Sequence, residues 1–151
     1  MSILQKNKIT FKTNIDFNYI SKLISEGNYN SKIVSPYQND YVMHSITHIR
    51  DIHLHKDFID LYSYCNENYN KQNLNSNLIM FFSMKLGSSS ITHKDDEDVY
   101  IIGAHGKTLY NVDGTEHTVE TGDLLKIPKG SIHTAIGLTP RVILSFGVFE
   151  A

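Results

Sequence analysis

Gly122-Asp123-Leu124-Leu125-Lys126-Ile127-Pro128-Lys129-Gly130-Ser131-Ile132-His133 decides the fold of this 151-residue chain. A glycine turn, a short apolar strand, a Pro-x-Gly turn and a second strand carrying a histidine read as one corner of an antiparallel β structure. Forty residues upstream stands its counterpart, Ile91-Thr92-His93-Lys94-Asp95. Side chains alternate along an extended strand, so His93 and Asp95 point to the same face. With His133 arriving from a distant strand, two imidazoles and one carboxylate meet on one side of a metal and leave its other positions open. This is the ligand set of the non-haem Fe(II) facial triad.

Working outward, residues 78–86, 91–93, 99–104, 108–112, 115–119, 124–127, 131–136 and 141–149 each read as strands, with a hairpin signal at Asp113-Gly114. Roughly eight short strands at even spacing, with turns between them and no helical periodicity, indicate a sandwich or barrel. Ahead of residue 77 the character differs. Residues 8–13 alternate like a strand. From Asp16, an N-cap, Phe17, Ile20, Leu23 and Ile24 recur at helical spacing until Glu26-Gly27. Residues 28–40 are polar and turn-rich around Pro36, 41–49 and 52–55 look extended, and 56–67 forms a second helix on Phe58, Leu61, Tyr62 and Cys65, followed by an Asn-rich loop. The expected fold is mainly β, a jelly roll with an α/β N-terminal part, all in one domain spanning 1–151: helices and strands over 1–76 and the metal-bearing core over 77–151.

The length suits a single core. A formal charge of −2 and a pI near 6.4 give no basic footprint, so no nucleic-acid partner is expected. A lone cysteine, no apolar run of membrane length and no basic-then-apolar leader lead us to expect a soluble, cytoplasmic protein with no membrane partner. Heavy use of Asn, Lys, Ile and Tyr reads as AT-rich codon bias.

Two stretches resemble known proteins. Gly122 followed by Pro128-x-Gly130-x-x-His133 is similar to the second motif of the cupins, whose terminal histidine binds metal. Asn77-Leu78 through Gly87, His93-x-Asp95, Asp98-Val99-Tyr100-Ile101-Ile102, His105-Gly106-Lys107 and the closing Val142-Ile143-Leu144-Ser145-Phe146-Gly147 resemble the JmjC-type 2-oxoglutarate oxygenases, among them asparaginyl hydroxylases and ribosomal oxygenases. The resemblance implies a double-stranded β-helix in which His93, Asp95 and His133 hold Fe(II), 2-oxoglutarate chelates it, and dioxygen is consumed with release of succinate and CO2. Many JmjC relatives pair the distal carboxylate of 2-oxoglutarate with a lysine or arginine at a position that is Thr108 here. Lys107 is adjacent but one step along the strand faces the other way. Arg141, eight residues after His133, is the substitute the wider oxygenase family suggests, and Ser90, Tyr110 and Ser145 are hydroxyls at positions where the family uses polar residues.

Alternatives stand beside these assignments. In many cupins the carboxylate ligand is a glutamate a few residues after the first histidine, so Glu97 and Asp98 compete with Asp95; otherwise Asp96 and Glu97 are the solvated face of a turn. His44 with His48, and His53 with His55, have spacings open to a second metal but read first as exposed or capping residues. His105 and His117 read as surface residues, Lys126 and Lys129 as solvated, and Cys65 as core. Functionally, the leading expectation is an Fe(II)/2-oxoglutarate hydroxylase acting on a peptide side chain or a small metabolite. A 2-oxoglutarate-independent metal cupin (dioxygenase or isomerase) and a non-catalytic ligand-binding cupin follow. A homodimer through sheet edges is a family prior.

Overall fold

The computed structural model describes residues 1–26, 46–88 and 92–150. The segment around Pro36, His44 and Ser90 lie outside the described residues, as does most of the strand expected over 41–49. The chain runs β1 (Ile3–Gln5), α1 (Phe17–Glu26), β2 (Thr47–Ile49), a 3-10 turn (Ile52–Leu54) and α2 (Ile59–Tyr69). Eight strands follow: β3 (Asn75–Ser83), β4 (Gly87–Ser88), β5 (Asp98–His105), β6 (Thr108–Val112), β7 (Thr115–Val119), β8 (Leu124–Ile127), β9 (His133–Gly137) and β10 (Arg141–Phe149). They form a six-stranded sheet in the order β1-β8-β5-β10-β3-β2 and a four-stranded sheet in the order β4-β9-β6-β7, with antiparallel pairing throughout.

Both faces of the large sheet are covered, which explains why β5 and β10 read as nearly continuous apolar runs rather than alternating ones. On one face Tyr100, Ile102, Leu144, Phe146, Leu78 and Met80 pack under α1 and α2, against Leu23, Phe58 and Cys65. On the other, Val99, Ile101, Leu125 and Ile127 meet Tyr110, Val112 and Val119 of the small sheet or its hairpin. Each such fully buried aliphatic or aromatic side chain contributes about 1.5–3 kcal/mol of transfer free energy. Asp113 and Gly114 carry φ of 49° and 85°, the left-handed pair that a two-residue hairpin between β6 and β7 requires.

Local patterns hold best where they are strongest. Asp16 caps α1, its Oδ1 accepting the Tyr19 N–H at 2.9 Å. The alternation over 8–13 does not make a strand: Ile9 and Phe11 lean on the core from an irregular segment, tied by the Ile9 N–H to the Gly122 carbonyl at 2.8 Å, while the sheet edge is taken by Ile3–Gln5 beside β8. The extended reading of 52–55 gives way to the 3-10 turn, entered through Asp51 at φ 53°. The second helix begins and ends slightly later than its apolar spacing indicates, at Ile59 and Tyr69.

Candidate metal centre

His93 and His133 meet as an isolated antiparallel bridge between two otherwise separate stretches. The His93 N–H donates to the His133 carbonyl at 3.0 Å and the His133 N–H returns to the His93 carbonyl at 2.9 Å. Within the motif, the Gly130 N–H donates to the Asp95 carbonyl at 2.9 Å, so the Pro-x-Gly turn locks the His-x-Asp segment in place. Register and turn chemistry thus bring three side chains from two distant motifs to one spot.

Their ligating atoms lie within 4.8 Å of one another. His93 Nε2 is 3.6 Å from Asp95 Oδ1, and His133 Nε2 is 3.3 Å from Asp95 Oδ2. Ligands bound at about 2.0–2.2 Å in neighbouring coordination positions sit about 3 Å apart, so this donor set fits a first-row divalent ion with little adjustment. His133, whose side chain is 6% exposed, lies 3.0 Å through Nδ1 from the Ser131 carbonyl. That contact assigns the proton to Nδ1, turns the Nε2 lone pair toward the site and holds the ring. Asp98 stands outside this donor group, and its Oδ1 accepts the Lys129 N–H at 2.8 Å.

The triad opens on a cavity of about 370 Å³ between the two sheets. On β9 and β6, His133 faces Val112 while Gly137 faces Thr108, so the cavity runs four residues along the strands, about 14 Å at ~3.4 Å per residue. At the far end lies Arg141. It is buried, and its guanidinium donates through Nη1 to the Lys85 carbonyl and, at 3.4 Å, to the Thr139 carbonyl; no carboxylate pairs with it among the described residues. Burial lowers its pKa and Tyr110 partly opposes the shift; burial also pushes the Tyr110 hydroxyl well above its usual range. The Thr108 hydroxyl is buried beside them without a hydrogen-bond partner among the described residues. Ser145 lines the same cavity.

Lys107 does not join this group. Its Nζ pairs with Glu120 Oε1 at 3.3 Å on the outside, the consequence of one step along a pleated strand. Glu97, expected on a solvated turn, instead lines the cavity outside the donor group; burial and then Asp95 push its carboxyl up. Three more lining residues went unread: Asn77 and Phe81, which alternate inward on β3, and His48, whose ring packs edge-on against Phe81 at 4.4 Å. The period-two pattern of Asn77, Ile79, Phe81 and Ser83 carries a signal for β3; nothing local announces His48.

No protein-family model matches the chain, and no curated protein matches it in sequence. Solved structures do match. The chain is similar to the Escherichia coli ribosomal oxygenase YcfD in complex with cobalt and 2-oxoglutarate, with a TM-score of 0.78 and 19% identity over 100% of this chain and 48% of that one. The same protein with cobalt and succinic acid gives 0.77 and 20%, over 99% and 48%. An RmlC-like cupin from Shewanella frigidimarina gives 0.53 and 12%, over 80% and 84%. The chain has the cupin fold. It spans about half the length of the ribosomal oxygenase it matches. Within this cupin barrel the triad and Arg141 occupy opposite ends of one cavity. No helix among the described residues is long and apolar enough to cross a membrane.

Proposed function

We propose that the chain is an Fe(II)- and 2-oxoglutarate-dependent oxygenase that hydroxylates a C–H bond of a peptide side chain or a small metabolite. One observation carries the reading: a cavity of about 370 Å³ holds both a His-Asp-His donor set and a buried guanidinium with no carboxylate partner among the described residues. A desolvated cation wants an anion, and an open-sided metal wants a chelator. A 2-oxo dicarboxylate satisfies both at once. That YcfD is described with cobalt and 2-oxoglutarate on the same fold supports the choice.

When bound, the metal supplies the redox chemistry with dioxygen. Overall, one oxygen atom enters the substrate C–H bond as hydroxyl, the other enters the new carboxylate of succinate, and the carboxyl beside the ketone leaves as CO2. The chain's part is to bind, orient and keep dry. Arg141 receives the distal carboxylate, with Thr108 and Tyr110 as hydroxyl donors within the same wall. Val99, Ile101, Ala135 and Ile143 exclude water from the space between. Ser131, through its carbonyl, keeps His133 in the ligating tautomer.

The test is an anaerobic Fe(II) titration with and without 2-oxoglutarate, followed by the visible charge-transfer band of the chelate, with His133→Ala as control. The band in wild type and its loss in the variant are expected. Iron binding without the band would move the assignment to a metal cupin whose substrate ligates the metal directly; no metal binding would end the oxygenase reading.

A further inference from the structure

The metal cavity shares a wall with a second, larger one of about 690 Å³, bounded by Tyr69, Lys71, Asp98, Lys129, Phe149 and Glu150. Asn77 and Glu97 line both. Their side chains converge over Gly147 of β10: a Cβ built there would lie 2.9 Å from Asn77 Oδ1 and 2.9 Å from Glu97 Oε2. A side chain at position 147 would fill the space these two groups occupy. Neither side chain makes a hydrogen bond or ion pair with any described residue, although Glu97 is partly buried. A carboxylate is an acceptor that pairs best with a charged donor.

We propose that Glu97, assisted by Asn77, selects the substrate. The carboxylate receives an ammonium or guanidinium nitrogen of the substrate, which sets the carbon to be attacked beside the metal and leaves the rest of the molecule in the second cavity. This rests on the oxygenase reading and narrows it to substrates carrying a nitrogen cation a few bonds from the target carbon. A cation fits better than a neutral donor, because Asp96, Asp98 and Glu150 outnumber Lys71 and Lys129 around the second cavity.

The probes are n-butylammonium, n-butylguanidinium and butyrate, added without oxygen to protein loaded with Mn(II) and 2-oxoglutarate. Paramagnetic relaxation of the probe protons reports binding near the metal. The two cations are expected to bind and butyrate not. Glu97→Gln should weaken the cations tenfold or more, the loss of one charge-assisted hydrogen bond, while Mn(II) and 2-oxoglutarate affinities stay within about twofold. Glu97→Lys should reverse the preference toward butyrate. If Mn(II) and 2-oxoglutarate bind but wild type takes butyrate as well as the cations, or Glu97→Gln leaves cation affinity unchanged, the assignment of Glu97 falls alone. If neither Mn(II) nor 2-oxoglutarate binds, the oxygenase reading falls and takes this assignment with it.

Discussion

The guanidinium of Arg141 lies against the backbone of Gly137 so closely that a Cβ at position 137 would sit 2.1 Å from Nη1 and 2.2 Å from the central carbon. Gly137 thereby makes the seat for the one cation at the inner end of the cavity. The clash from Gly137→Ala falls on the far end of a flexible side chain, so the fold should absorb it while the guanidinium moves. We expect a melting temperature within a few degrees of wild type, unchanged metal content and at least a tenfold weaker 2-oxoglutarate affinity. Calorimetric titration checks this; an unchanged 2-oxoglutarate affinity would show that the seat is irrelevant.

Removing the cation itself separates its cost from its use. Arg141 is buried without a carboxylate partner among the described residues, so Arg141→Ala should leave the ligand-free protein no less stable, since an unpaired buried charge opposes folding. Its 2-oxoglutarate requirement should rise steeply with metal content unchanged. A ligand present at 100 times its dissociation constant adds about 2.7 kcal/mol to stability, so 2-oxoglutarate should raise the melting temperature of metal-loaded wild type by several degrees and that of the variant hardly at all.

Much of the architecture was legible because strong local signals agree with the global fold. The Asp113-Gly114 turn marks its hairpin, and the Pro128-x-Gly130 turn delivers His133 to the spot that His93-x-Asp95 reaches, although the strand expected over 91–93 is in the structure a single bridge at His93. What stayed hidden depends on contacts far apart in sequence. Glu97 stands in the run Asp95-Asp96-Glu97-Asp98, which reads as a solvated turn; its inward course shows only once Gly147, fifty residues later, is seen to leave room beneath it. His48 belongs to a three-residue strand whose place in the cavity is set by pairing with Phe81, a register no local pattern carries. Residues 8–13 alternate as a strand would, yet pairing with β8 is won by Ile3–Gln5.

Asp123, 1% exposed, accepts the backbone N–H groups of Asn7 at 3.0 Å and Glu120 at 2.8 Å and pairs with Lys6. Burial acts to raise its pKa, but Lys6 and the two amides outweigh it and hold the carboxyl below its usual value. A folded-state value below the unfolded one means stability that is complete above the unfolded pKa near 3.9 and is lost as pH falls through the folded value. Asp123→Asn should cost about 2–4 kcal/mol at neutral pH, because it weakens a buried hydrogen-bonded charge. Urea unfolding should show this gap constant above about pH 5 and shrinking below pH 4; a pH-independent gap would mean that the charge of Asp123 contributes nothing.

Cys65 is the fully buried residue on the inner face of α2, and burial pushes its thiol up to about 12. At pH 8 the thiolate fraction is then on the order of 10⁻⁴, too small for reaction without opening of the structure. An aromatic disulfide reagent should label the native protein at least 10³-fold more slowly than the urea-unfolded chain. Fast labelling of the folded protein would remove Cys65 from the core.

Thr108 and Lys107 offer the sharpest test of which way β6 presents its side chains. Thr108 is buried opposite Gly137, its hydroxyl without a partner among the described residues, whereas Lys107 reaches outward to Glu120. Arg141→Ala empties the volume beside Thr108, so a lysine at 108 in that background would extend its ammonium into the space the guanidinium left. We expect the Arg141→Ala/Thr108→Lys double variant to recover at least a tenfold share of the lost 2-oxoglutarate affinity. Lys107→Ala should leave 2-oxoglutarate affinity within twofold of wild type and cost only the exposed pair with Glu120, in the range of 0–1 kcal/mol. The coupling between positions 108 and 141, measured as a double-mutant cycle on 2-oxoglutarate binding, decides the matter: independent effects would mean that the two side chains do not serve one carboxylate.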